Sequence, residues 1–132
     1  MPWIEPKTNW QPSDYLNAAD YNRMRGNLFY LRDLGTTLYP AFSVPDTGAK
    51  STASFAFAND INALENSIDI IAAHTFHPST LPHTKAWREN SAAPVAEDLN
   101  RIESATLILY CALTSQSALR PKLAFGLLKG AF

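Results

Sequence analysis

The chain has 132 residues, 46% of them hydrophobic, which is material for one modest domain with an ordinary core and not comfortably for two. Its 11 basic and 12 acidic residues give a formal net charge of −1 and are intermixed without a like-charge run, which excludes an electrostatic footprint for nucleic acid or an anionic membrane. No apolar run approaches the ~20 residues that span a bilayer, and the N-terminal residues lack the apolar segment of a secretion signal.

Residues 1–16 carry Pro2, Pro6 and Pro12 among Trp3, Ile4 and Trp10, so an extended arm is expected. Two tryptophans on such an arm need a surface, either the chain's own bundle or a neighbouring subunit. A helix is expected over residues 17–35. Asn17 suits the N-cap, Asp20 falls three positions on, Leu16 and Tyr21 can form a hydrophobic staple, and Gly35 can close the last turn. Tyr21, Met24, Leu28 and Leu31 share one helical face.

Residues 36–54 read as a loop, with Pro40, Pro45 and Gly48. A second helix follows over 55–76, with Ser54 as its cap and Ile61, Leu64, Ile68 and Ile71 on its apolar face. Pro78 and Pro82 mark a connector. A third helix over 94–117 starts at Pro94 and carries Leu99, Ile102, Thr106 and Leu109 in the same frame. Leu107, Ile108, Tyr110 and Leu113 widen its apolar surface and predict a central helix, with Cys111 in the core of a reducing-compartment protein. Residues 119–132 form an apolar tail without a clean period, expected to dock on the body or on another subunit.

The three frames superpose without a gap. Asp20, Asp60 and Asp98 coincide, and Asn22, Asn62 and Asn100 coincide two positions later, with intervals of 40 and 38 residues that suit a repeated loop-helix unit. The Asp favours the positive end of a helix. Asn is a mediocre helix former, and a side-chain hydrogen bond to the incoming loop accounts for it best. Trp10 and Trp87 precede the first and third Asp by ten and eleven positions; the middle unit lacks a Trp, and Phe55 or Phe57 can stand in.

Chemistry is sparse. His74, His77 and His83, with Asp69 nearby, allow a zinc site to be drawn, but paired Cys ligands and a His-Glu-x-x-His helix are missing, and no metal or cofactor is expected. Glu65 with Asp69, and Glu97, Asp98 and Glu103, supply carboxylate pairs, yet they lie opposite apolar stripes and read as a solvated face. With no Gly-rich phosphate loop or nucleophile motif, no catalytic residue is expected.

Residues 8–31, TNWQPSDYLNAADYNRMRGNLFYL, resemble a pattern of tailed-bacteriophage and prophage structural proteins, through Trp10, Asn17, Asp20, Tyr21, Asn22 and Arg23. Residues 85–109 resemble the related Trp…Leu-Asn-Arg-Ile-Glu pattern of phage tail, baseplate and fibre proteins, through Trp87, Leu99, Asn100, Arg101, Ile102 and Glu103. The resemblance implies a structural, oligomeric, non-enzymatic module of the virion, made in the bacterial host cytoplasm and joined to other virion proteins. The family segment usually heads a longer fibre, whereas these 132 residues end on the apolar tail, so a connector, or a truncated or stand-alone component, is expected rather than a receptor-binding part.

The expected fold is thus an all-α three-helix bundle of three loop-helix repeats, with an extended arm and an apolar tail. Trp3, Trp10, Asp20, Asn22, Asp60, Asn62, Trp87, Asp98 and Asn100 are its structural and interaction residues. Its partners are other virion proteins and further copies of itself, without nucleic acid or a membrane span. The rival expectations are a non-virion interaction protein, such as an assembly chaperone or regulatory bundle, and a metal enzyme using the three histidines.

Overall fold

The computed structural model describes residues 2–14, 16–46, 48, 50, 57–88 and 94–130, with backbone alone for 57 and 120–130. It is a bundle of three helices, α1 (Ala18–Leu38), α2 (Phe57–His74) and α3 (Ala96–Gly130), each packed against both others. No strand occurs among the described residues.

The repeated apolar frame is the core. Tyr21, Met24, Leu28 and Leu31 from α1, Ile61, Leu64, Ile68 and Ile71 from α2, and Leu99, Ile102 and Leu109 from α3 are all buried in one cluster. Thr106, the polar member of the third frame, is buried too and returns its hydroxyl to the Ile102 carbonyl at 2.9 Å. That bond removes the cost of a bare hydroxyl in an apolar environment. Helix α3 contacts both other helices, as its wide apolar surface suggests, and α1 and α2 also touch each other.

Helix α1 begins as its sequence specifies. The Asp20 N–H donates to the Asn17 side chain at 2.9 Å, and the Asn17 N–H donates to Asp20 Oδ2 at 3.3 Å, a complete capping box. In α3 the Val95 N–H donates to Asp98 Oδ2 at 3.1 Å, the same reach-back made without a capping side chain. Ser54, the expected cap of α2, lies outside the described residues.

Four expectations fail for physical reasons. Gly35 does not close α1, which continues to Leu38 with Tyr39 as C-cap. Its lack of a side chain instead permits close approach, since a Cβ there would stand 2.9 Å from both the Phe42 ring and the Thr75 methyl. The third helix does not stop near Ser117; its backbone stays helical to Gly130, through Pro121, so residues 119–130 are helix rather than an irregular tail. Leu, Ala, Lys and Arg are good helix formers, and one proline deletes only part of the hydrogen-bond ladder. Cys111 is exposed, on the face of α3 opposite Leu109 and Leu113. Glu65 and Glu103 are not solvated: each is 1% exposed.

The N-terminal arm lies on its own bundle. Trp10 is buried in the core cluster, and Trp3 stacks on Tyr110 with ring centroids 3.9 Å apart.

Candidate functional site

The repeated asparagines grip backbone. Asn62 of α2 accepts the Trp87 N–H and donates to the Trp87 carbonyl, both at 2.7 Å. Asn100 of α3 does the same to Trp10, at 2.7 and 3.1 Å, and Asn22 of α1 to Lys50, at 2.7 and 2.9 Å. One amide thus satisfies both the donor and the acceptor of one backbone residue.

These grips run in a ring. Asn22 on α1 holds the segment that leads into α2, Asn62 on α2 holds the segment that leads into α3, and Asn100 on α3 holds the arm that leads into α1. The gripped residues, Trp10, Lys50 and Trp87, precede Asp20, Asp60 and Asp98 by ten, ten and eleven positions. Lys50 therefore occupies the gripped position of the middle unit, equivalent to Trp10 and Trp87. Phe55 and the Phe57 side chain lie outside what the structure describes.

Two of the three joints add a buried glutamate from the gripping helix. At the α3–α1 joint the Trp10 indole N–H donates to Glu103, the Lys7 backbone N–H donates to the same carboxylate at 3.0 Å, and one Arg23 nitrogen reaches its two oxygens at 2.6 and 2.7 Å. Arg23 also pairs with Asp20 at 2.9 Å. At the α2–α3 joint the Trp87 indole N–H donates to Glu65 at 2.6 Å, and Arg101 holds both oxygens of Glu65 while standing 3.8 Å from Asp98. Lys7 and Lys85 each lie 4.3 Å over the face of the adjoining tryptophan.

Both guanidinium groups are firmly charged. Burial acts to lower the Arg23 pKa, but the hydrogen bonds and charges of Glu103 and Asp20 prevail and raise it. At Arg101 the hydrogen bond to Glu65 leads and, with the Glu65 and Asp98 charges, outweighs burial.

The α1–α2 joint is chemically different at three matching positions. Lys50 stands for the tryptophan, Arg25 for the glutamate and Ala63 for the arginine. The Lys50 ammonium lies 3.3 Å from Asp60, which is 1% exposed, so here the incoming segment supplies the cation that helices supply elsewhere. Arg25 turns to Asp46 in the preceding loop, at 2.8 and 3.0 Å.

Glu65, Glu103, Arg23 and Arg101 were not assigned to the joints from sequence. The signal is the extended frame Asp-x-Asn-Arg-x-Glu, complete in α3 at Asp98, Asn100, Arg101 and Glu103 and split between α1, which has the Arg, and α2, which has the Glu. Trp3 belongs to a separate aromatic cluster with Tyr30 and Tyr110.

The three histidines do not converge. His74 Nδ1 lies 2.9 Å from the Ile70 carbonyl with its ring on Phe42, and His77 Nδ1 lies 3.2 Å from the Pro78 carbonyl. Asp69, the fourth group of that drawn site, accepts the Thr84 hydroxyl at 2.7 Å. Among the described residues no three His, Cys, Asp or Glu side chains gather as a metal site. The buried carboxylates are surrounded by internal donors, an arrangement suited to fastening rather than to proton transfer with a bound molecule. Comparison of the chain with protein-family models, with curated protein sequences and with solved structures finds no match.

Proposed function

We propose that the chain is a structural component of a phage or prophage virion, a tail or baseplate connector or fibre-attachment module that works through protein-protein contacts and carries no catalytic centre or cofactor. One observation carries this proposal: the residues that resemble the phage pattern are the ones spent on fastening. Trp10, Asp20, Asn22 and Arg23 of the first match, and Trp87, Asn100, Arg101 and Glu103 of the second, all take part in the joints. A motif whose members tie extended segments to helices serves architecture. The partners on this proposal are other virion proteins and further copies of the chain, and its location is the virion.

Protein composition of purified particles tests this. The chain is expected at a fixed stoichiometry in particles washed at high salt; particles that assemble fully and lack it would leave the non-virion alternative, an assembly chaperone or regulatory bundle, in its place.

A further inference from the structure

The first arm meets the bundle as a peptide ligand meets a receptor. Asn27 of α1, 1% exposed, accepts the Ile4 N–H at 2.9 Å and donates to the Ile4 carbonyl at 2.7 Å, a second backbone grip beside that of Asn100 on Trp10. Two aromatic anchors accompany the grips. Trp3 lies between Tyr110 of α3 and Tyr30 of α1, and Trp10 is 3% exposed with its indole on Glu103. All five receptor residues belong to α1 or α3, so the arm contributes only the guest.

The connection to that guest differs from the other two. Asn22 and Asn62 hold residues 28 and 25 positions further along, the next segment of chain in each case. Asn100 holds a residue 90 positions away, and the arm reaches the bundle through residues 11–17. Within this link residues 11–14 form a turn: the Asp14 N–H donates to the Gln11 carbonyl at 2.9 Å, and the Gln11 N–H donates to Asp14 Oδ2 at 2.9 Å. Opened out, such a link spans roughly 23 Å at ~3.3 Å per residue, enough to carry the arm to another body.

We propose that this groove between α1 and α3 is an assembly site for a second copy of the chain, with the arms of two copies exchanged so that Trp10 of one completes the Glu103 joint of the other. The occupant is a second copy because the groove matches this chain's own arm at five places: two backbone grips, an indole-carboxylate bond and two ring contacts. Exchange preserves each of those contacts, so only the shape of the link and the protein concentration separate the closed from the exchanged form. The proposal rests on the self-association part of the function proposed above, and its failure is separable, since a multimer built through other surfaces would survive loss of the arm contacts.

The test straightens the link. Gln11→Pro, Ser13→Pro and Asp14→Pro, together with Pro12, give a stiff extended connection that cannot make the turn. Exchange predicts that this variant is a dimer by native mass spectrometry, with its tryptophan emission unshifted from that of the unaltered chain, and that adding Trp10→Ala returns it to monomer. A monomer with an exposed arm, or a multimer indifferent to Trp10→Ala, overturns the proposal; the second outcome leaves self-association itself standing. If the variant does not fold, natural-abundance and 15N-labelled copies of the unaltered chain are incubated together at high concentration and diluted. Mixed-mass dimers that vanish with Trp10→Ala support exchange, and their absence at every concentration overturns it.

Discussion

Arg23 and Glu103 lie 80 positions apart in sequence and meet in an ion pair in which one guanidinium nitrogen stands 2.6 and 2.7 Å from the two carboxylate oxygens. The pair links the first helix to the last beneath the arm that crosses both. Breaking it from one side leaves Glu103 buried with only the Trp10 and Lys7 N–H donors. Arg23→Ala is therefore expected to cost about 3 kcal/mol in urea denaturation, whereas replacing both members by leucine costs less than Arg23→Ala alone, because no uncompensated charge remains. A double replacement as damaging as the sum of its parts would show that the charges are not coupled.

Each asparagine grip hydrogen-bonds both backbone groups of one residue in a neighbouring segment. Asn22→Ala, Asn62→Ala and Asn100→Ala are each expected to destabilise by about 1–3 kcal/mol. Asn62→Asp should not rescue Asn62→Ala, since a carboxylate accepts the Trp87 N–H but cannot donate to the Trp87 carbonyl. Thermal melts of the four variants decide; three unchanged melting temperatures would mean that the grips are incidental.

At the α1–α2 joint three positions differ at once from the other two joints, and they are expected to be coupled. Lys50→Trp alone takes the ammonium away from buried Asp60 and sets an indole beside Arg25, where the other joints have a glutamate, at an expected cost of about 2 kcal/mol. Adding Arg25→Glu and Ala63→Arg should recover most of that loss, because the three positions then repeat the chemistry of the other joints. Denaturation free energies for the single, double and triple variants would expose the coupling, and strict additivity would rule it out.

Gly35 is expected to resist substitution despite its place in a helix. Alanine there gains about 0.8–1.0 kcal/mol of helix propensity, but its methyl meets the Phe42 ring and the Thr75 side chain at 2.9 Å from two different segments. Overpacking of about 1–3 kcal/mol should leave Gly35→Ala the less stable protein by calorimetry. A raised melting temperature would show that Phe42 moves aside freely.

Acid should weaken one loop contact in a defined window. The hydrogen bond from Arg25 leads in holding the Asp46 carboxyl below its ordinary value of 3.8, helped by the Gly48 N–H and the Arg25 and Lys50 charges and opposed by burial. A carboxyl whose folded pKa is lowered stabilises the fold above its unfolded value and loses that contribution as pH falls through the folded one. The stability gap between the protein and Asp46→Asn should thus be constant near neutrality and close below pH ~4. A gap that widened on acidification would have the wrong sign.

Helix number and the buried stripe were legible because a 3.6-residue period and capping residues act locally: the Asn17–Asp20 box and the stripe from Tyr21 to Leu31 need no knowledge of the rest of the chain. The Asp and Asn repeats were legible as repetition. Their purpose needed the fold, since the residue each Asn grips belongs to another unit. Glu65 and Glu103 were misread because charge was taken to mean solvent, although each lies four positions after a stripe residue, Ile61 or Leu99, at the edge of the stripe, where a connector or the arm is laid over the helix. Lys50 was overlooked because residue type, aromatic for aromatic, was compared before position. Cys111 was misread from its apolar neighbours, though it falls on the outward side of α3. The histidines stayed apart because closeness in sequence across a helix end and a proline connector does not fix closeness in space.

The claim at the centre is that the signature residues act as fasteners, and a double-mutant cycle on Trp87→Phe and Glu65→Leu addresses it most directly. Trp87→Phe removes the N–H that stands 2.6 Å from Glu65 and also some packing; repeating the change where Glu65 is leucine leaves only the packing loss. A coupling energy of about 1.5 kcal/mol or more is predicted for this charged hydrogen bond. Additivity within about 0.5 kcal/mol would contradict it and reduce Trp87 to a core aromatic.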